Sequence, residues 1–352
     1  MKKSAVKDAS YYFAKAMSKV NKSESDEKRY SLYPVLDPDS FNFYQRQENQ
    51  HWSAAELDYD EDKKTYNTLS DVEKHVIDTI IAYFILGDGG ITESVLRFLI
   101  DGDNTLEDKS MFISQLHIEL IHSETYSLAA LAFKGEDEMI KLLTNIENSP
   151  ATKAKVKFNE KWVESDTPKW MRLVASSIIE GLFFISGFAG IFYFRSKNKL
   201  DNFILANELI SKDETLHRDY NVYLALRSMN DVDKNEGEKI IRQMIREGVE
   251  VEFQFVDELM SKGSLSDFNT KNIKTYVKSL ADVLLACYGY SPEYNETNPF
   301  DWLKDLALQQ KTNFYEKRVA AYVKRNLNEI LNWKKRAGLI NNAVVDPDEV
   351  EF

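Results

Sequence analysis

The sequence predicts an all-α protein, and three observations carry that reading. Glycine and proline, the residues that break helices, number 13 and 7 in 352, less than half their usual combined share of about 12%. Proline is absent between Pro38 and Pro150 and again between Pro168 and Pro292, which leaves room for long uninterrupted helices. No stretch of useful length alternates apolar and polar residues with the period of two that a half-buried strand needs.

The elements follow in order. Residues 1–30 are polar and charged and read as a flexible N-terminal segment. Residues 31–60 hold Pro34, Pro38 and many aromatics, and read as an irregular arm with short helical turns. Ser70 with Glu73 three residues on forms a capping box. The helix it opens runs to about Ile100, with Val76, Ile77, Ile80, Ile81 and Phe84 on one face and a candidate bend at Gly87, Gly89 and Gly90. A second helix covers 105–133. Thr167 as N-cap and Pro168 at the first helical position open a third, which runs to about Lys197. A fourth spans 201–228, and further helical patterns cover 236–262, 271–288 and 302–335, with Gly263 and Gly289 as stops. The last residues, Asn341 to Phe352, are acidic and contain Pro347. Three regions result: a flexible segment 1–30, a helical domain 31–335 and a flexible tail 336–352.

Composition excludes several functions. The formal net charge of −12 argues against general nucleic-acid binding, which wants a basic face. Cys287 is the only cysteine, so an internal disulfide, a cysteine zinc site and a paired-thiol redox centre are all impossible. Chemistry that needs two thiols must happen on another chain. Met1 to Lys22 has lysines but no apolar run, so it is no secretory signal. The most apolar stretch, Leu182 to Phe194, is shorter than the roughly 20 residues a bilayer span needs. It reads as a core helix of a cytoplasmic protein that makes no membrane contact.

The chemistry sits in a spaced set of acids and histidines. Of five histidines, His122 and His217 each have a glutamate three positions earlier, Glu119 and Glu214. Positions i and i+3 share a helix face, so each pair can offer one carboxylate and one imidazole to the same ion. Two such pairs plus one carboxylate from each of two other helices make the di-iron site of ferritin-like bundles. Two further carboxylates fit: Asp88 inside the first long helix, and Glu180 beside the most apolar run. A lone carboxylate among phenylalanines costs several kcal/mol, which a metal ion removes; a Lys or Arg partner for Glu180 would do so too. This donor set suits iron or manganese. Tyr126 lies four residues after His122 and seven after Glu119, on the same face. Beside such a metal pair a tyrosine can be oxidised, although the spacing equally admits a plain core tyrosine. Phe184 and Phe188, four and eight residues after Glu180, and Ile210, three before Asp213, are candidates for a dry wall around it.

These residues sit in a longer series of motifs. It runs Trp52-Ser53-Ala54-Ala55-Glu56-Leu57-Asp58, Asp88-Gly89, Glu119-Leu120-Ile121-His122-Ser123-Glu124-Thr125-Tyr126, Glu180-Gly181 and Asn207-Glu208-Leu209-Ile210-Ser211-Lys212-Asp213-Glu214-Thr215-Leu216-His217. It ends with Asn298-Pro299-Phe300-Asp301 and Asn313-Phe314-Tyr315-Glu316-Lys317-Arg318-Val319. From about residue 30 to the C-terminus the chain resembles the small, radical-generating subunit of class I ribonucleotide reductase, closer to the eukaryotic and viral type. The resemblance implies a ferritin-like bundle with additional helices, a homodimer, and activity only with a large subunit that reduces ribonucleotides. It implies Asp88, Glu119, His122, Glu180, Glu214 and His217 as ligands of two iron ions per chain, with manganese an alternative. It implies a stable radical on Tyr126 in a pocket of Phe184, Phe188 and Ile210. The path toward the large subunit would begin at Trp52, Asp213 and His122 and continue at Tyr322, and the tail ending at Phe352 would dock there. Two rivals remain: another di-iron oxidase, which has no need of Tyr126, Trp52 and Tyr322 together, and a non-enzymatic iron store or scaffold.

Overall fold

The Ser70 capping box closes as its spacing implies. The Ser70 N–H donates to Glu73 Oε2 at 2.8 Å and the Glu73 N–H donates to Ser70 Oγ at 3.3 Å. In this computed structural model, which describes residues 29–100, 103–163 and 166–303, that box starts helix α3, Asp71–Ile100. Before it come α1, Pro38–Asn49, and α2, Asp60–Asn67. After it come α4, Leu106–Lys134; α5, Glu136–Glu147; α6, Pro150–Trp162; α7, Lys169–Leu182; and α8, Ile185–Tyr193. The described part ends with α9, Asp201–Ser228; α10, Lys234–Leu259; and α11, Thr270–Cys287. Short 3-10 turns at Ala54–Glu56 and Phe194–Lys197 complete the set, and the one β-bridge among the described residues joins Leu265 and Phe268.

Several elements differ from the sequence expectation. The arm 31–60 contains a full helix, α1, because Asp37 caps it through the Ser40 N–H at 3.1 Å and Pro38 opens its first turn. Helix α3 passes uninterrupted through Gly87, Gly89 and Gly90. Pro168 is the N-cap of α7 rather than its first helical residue, and Thr167 Oγ1 donates back to the Trp162 carbonyl at 3.1 Å. The expected third helix is two helices, parted at Phe183 and Phe184. Helices α5 and α6 were not anticipated, although Ser149 and Pro150 mark the start of α6 with the same cap chemistry.

Helix α3 packs along α4, and α7 along α9; α4 meets α9 to join the two pairs. Helix α1 lies across α4. Its own N-cap residue, Leu200, offers α9 no side-chain cap, so Asp62 of α2 accepts the Phe203 N–H at 2.7 Å and the Asn202 N–H at 3.3 Å. Two helical runs, Asp71–Ile100 and Lys169–Lys197, are long and apolar enough to cross a bilayer. The second is longer than the apolar stretch read from sequence because helical residues flank it. Both are mostly buried inside the protein, as core helices are. Cys287 is half-buried at the end of α11, and burial raises its thiol pKa.

The chain divides into two compact units, Met1–Pro299 and Phe300–Phe352. Of the second, Phe300 to Leu303 is described, with the Phe300 and Trp302 rings 5.0 Å apart. The 302–335 helix apart from its first residues, the 313–319 motif, Tyr322, the tail 336–352 and Phe352 lie outside the described residues, as does nearly all of segment 1–30.

Candidate metal centre

Each of the four long inner helices contributes to one buried polar cluster. Helix α3 supplies Asp88, α4 supplies Glu119 and His122, α7 supplies Glu180, and α9 supplies Glu214 and His217; none is more than 3% exposed. One donor atom each from Glu119, Glu180, Glu214 and His217 lies within 4.8 Å of the others. The i, i+3 spacing does the local work, turning a carboxylate and an imidazole inward on α4 and again on α9.

The two histidines mark two poles. His122 Nδ1 faces Glu119 Oε2 at 3.4 Å and Glu214 Oε1 at 3.2 Å. His217 Nδ1 faces Glu119 Oε1 at 3.1 Å, and Glu180 Oε2 and Glu214 Oε2 each at 3.7 Å. Glu119 and Glu214 therefore each turn one oxygen to either pole. Asp88 belongs to the His122 side, where the charges of Glu119, His122 and Glu214 all act on it.

The cluster is short of partners from the protein. Both oxygens of Asp88, Glu119 and Glu214, one oxygen of Glu180 and the Nδ1 atoms of both histidines are buried without a hydrogen bond. Gln115 Nε2 donates to the other Glu180 oxygen at 2.9 Å. Burial, and then the neighbouring carboxylates, push the Asp88 and Glu180 carboxyls well above the ordinary range. Burial opposes ionisation of Glu214 too, but the adjacent Glu180, His122 and His217 outweigh it and its pKa falls. Burial would lower both imidazole pKa values, yet the surrounding carboxylates raise them well above 6.5. Four carboxylates match the charge of two divalent cations, and orphaned oxygens with two orphaned ring nitrogens are a hard-to-borderline donor set. The residues present fit a dinuclear metal site.

Outer contacts fix both rings. His122 Nε2 pairs with Asp213 Oδ2 at 3.1 Å, and His217 Nε2 with Gln47 Oε1 at 3.0 Å. With each Nε2 so engaged, each Nδ1 is left to face the cluster. Asp213 also accepts from Trp52 Nε1 at 2.9 Å, Gln47 Nε2 at 2.9 Å and Gln50 Nε2 at 2.7 Å. Trp52 is 1% exposed, and its ring stacks on His122 at 5.9 Å. Trp52, Asp213 and His122, expected from the resemblance to begin one path, are in direct contact. Gln47 and Gln50 were missed; a glutamine far along the chain from its partners leaves no spacing signal.

Tyr126 is fully buried on α4, one turn beyond His122. Its hydroxyl donates to Asn207 Oδ1 at 2.8 Å, and Asn207 Nδ2 donates in turn to the Phe203 carbonyl at 2.7 Å. Burial, followed by the nearby charge of Asp88, raises the phenol pKa well above 10. The rings set against it are Phe84 at 5.0 Å and Phe203 at 6.3 Å. Phe184 and Phe188 pack on Phe84, each at 5.2 Å, and Ile210 is buried one turn along α9 from Asn207. Phe84, Phe203 and Asn207 are additions to the sequence reading. Phe84 had been assigned to the helix's apolar face, and nothing in its spacing tied it to Tyr126.

Residues 29–299 match the family model described as ribonucleotide reductase, small chain. The ribonucleoside-diphosphate reductase small chain of Plasmodium falciparum (isolate Dd2) is 38% identical over 309 residues, covering 87% of this chain and 86% of that one. The variola virus small chain is 34% identical over 298 residues, 84% of this chain and 92% of the viral one. Among solved structures, the Rnr4 homodimer of Saccharomyces cerevisiae superposes with a TM-score of 0.70 at 28% identity, over 80% of this chain and 90% of that one. The fold is the all-α ferritin-like bundle.

Proposed function

The chain belongs to the ribonucleotide reductase small-chain family, and from that premise we propose that its inner cluster holds two iron ions and keeps a stable radical on Tyr126. The single observation that carries this reading is the set of orphaned, buried donors on Asp88, Glu119, His122, Glu180, Glu214 and His217. Manganese meets the same donors, and which metal is loaded follows supply as well as affinity. Neither rival, a different di-iron oxidase or an iron store, has a use for the Trp52–Asp213–His122 contact beside a buried Tyr126.

When bound, the metal pair would supply, with O₂ as the oxidant, the oxidising power for loss of one electron and the phenolic proton from Tyr126. The chain's own residues do the rest. Asp213 and Gln47 hold the two imidazoles in the tautomer that points Nδ1 inward. Phe84 and Phe203 keep water from the phenol, which protects a radical from reduction. Asn207 fixes the hydroxyl's direction. Trp52, hydrogen-bonded to Asp213 and stacked on His122, is an oxidisable side chain in contact with a ligand. It begins the outward path, and Tyr322, outside the described residues, continues it.

The product of this path leaves the chain. Reduction of a ribonucleoside diphosphate consumes a pair of thiols, and one cysteine cannot provide them, so the active enzyme pairs this chain with a cysteine-bearing large subunit docked by the tail that ends at Phe352. A second copy of the chain covers α4: Ile113, Leu120, Leu128 and Leu131 are all exposed along it, a row of large apolar side chains that asks for a partner. The family's reaction and the buried placement of both long apolar runs support a cytoplasmic protein. The test is turnover: mixed with its large subunit, the iron-loaded chain reduces ribonucleoside diphosphates, and deleting Asn341 to Phe352 removes at least nine-tenths of that activity at equal subunit concentrations. Full activity of the truncated chain would overturn the docking role.

A further inference from the structure

Outside the metal cluster, Lys155 of α6 and Glu252 of α10 form a buried ion pair, 6% and 0% exposed. Lys155 Nζ lies 2.6 Å from Glu252 Oε2. It sits over the Tyr83 ring at 3.8 Å and the Phe255 ring at 4.4 Å. Such a pair is seldom more stable than apolar residues of equal volume, because desolvation offsets the attraction. It needs a reason to be here, and the break between α7 and α8 gives one.

Helix α7 ends at Leu182, and α8 begins at Ile185. The last carbonyls of a helix have no partner within it, and the same holds for the first N–H groups of the next. Lys155 Nζ donates to the Phe183 carbonyl at 2.7 Å, a cation at the negative end of α7. A cation there complements the partial negative charge of the helix end, and Glu252 Oε2, 2.6 Å from Nζ, keeps the ammonium in place. The pair is therefore a splice at the break: the ammonium closes the end of α7 and the carboxylate of α10 fixes the ammonium. No apolar pair of the same volume can do this.

The break is three residues past Glu180. It also places the Phe184 ring so closely over Gly87 that a Cβ there would come within 3.2 Å of it. Gly87 is the neighbour of Asp88. A cavity of about 310 Å³ opens beside the break, lined by Lys155, Tyr83, Gly87, Phe183 and Phe184. Space to move is thus present where the splice prevents movement. We propose that Lys155 and Glu252 are positioning residues for the metal centre: by closing the end of α7 at the break they hold Glu180, and through Phe184 the Gly87–Asp88 turn, where two ions can be gripped at once.

This inference rests on the dinuclear reading, and the test separates the two. The full chain and the double variant Lys155→Met, Glu252→Met are titrated anaerobically with Co(II), whose visible bands report coordination. Thermal melts of the metal-free proteins run alongside. The double variant removes both charges together, so its melting temperature should stay within a few degrees of the parent. Its Co(II) isotherm should lose at least tenfold in affinity for one of the two ions, with altered bands. Glu252→Gln, nearly isosteric, should move the isotherm the same way and serves if the double variant does not fold. A folded variant whose isotherm and bands equal the parent's overturns the splice. A parent that binds no Co(II) overturns the dinuclear reading instead.

Discussion

Helix α4 carries two buried acidic clusters eleven residues apart, and they are built on opposite principles. In its first turn, Glu107 and Asp108 are both 0% exposed yet fully partnered. Glu107 accepts from Arg29 Nη1 at 2.9 Å and the Leu36 N–H at 2.8 Å. Asp108 accepts from Ser40 Oγ at 2.7 Å, Tyr220 Oη at 2.9 Å and the Thr105 N–H at 3.0 Å, and pairs with Arg227 at 2.5 Å. Burial works against the Asp108 charge, but Arg227 and these donors outweigh it and its pKa falls. Farther along the same helix, Glu119 has both oxygens buried without a hydrogen bond. The first cluster gets its positive charge from arginine side chains and fastens α1 and α9 to α4. The second is met by two imidazoles and, among the described residues, by no arginine or lysine, and its orphaned oxygens are what fit it to metal.

The contrast can be broken by substituting one acid in each cluster. Glu119→Gln removes a carboxylate that faces both poles, and it should cost at least a hundredfold in metal affinity, read by anaerobic titration. The metal-free protein should melt higher than the parent, because one of four crowded acids is gone. A lower metal-free melting temperature would mean that Glu119 is a structural acid like Asp108. Asp108→Asn should behave the other way. It leaves Arg227 short of its closest partner and should lower folding stability by about 2–4 kcal/mol, seen in urea unfolding, with metal stoichiometry unchanged. Gln47→Leu sharpens the comparison at smaller scale. It frees His217 Nε2 and withdraws one donor from Asp213, and should weaken metal binding by about 10–100-fold with little change in metal-free stability. Unaltered metal affinity would remove Gln47 from the centre.

Much of the site was legible because it is written at helical spacing. Glu119 with His122, and Glu214 with His217, follow from i, i+3 geometry alone, and Asp88 and Glu180 from charges set in apolar runs. Tyr126 followed from the same face of the same helix. What escaped was set by tertiary contact. Gln47 meets His217 across 170 positions, and Asn207 meets Tyr126 across 81. The break at Phe183 and Phe184 lies in an unbroken apolar run with neither residue a helix breaker, so no local signal records it; its partners come from α6 and α10. Helix α6 is different, since Ser149 and Pro150 announced it. The family resemblance placed the chain in its class, and the geometry around Asp213 supplied what the resemblance could not, the atoms through which Trp52 and the ligand His122 touch.

The central claim is that the unpartnered cluster loads two metal ions and leaves a radical on Tyr126. Its most direct test is electron paramagnetic resonance on the metal-free chain after ferrous iron and then O₂, beside Tyr126→Phe treated identically. The account predicts two irons bound per chain in both proteins and a tyrosyl signal in the parent alone. The same signal in Tyr126→Phe, or no iron uptake by the parent, would contradict it.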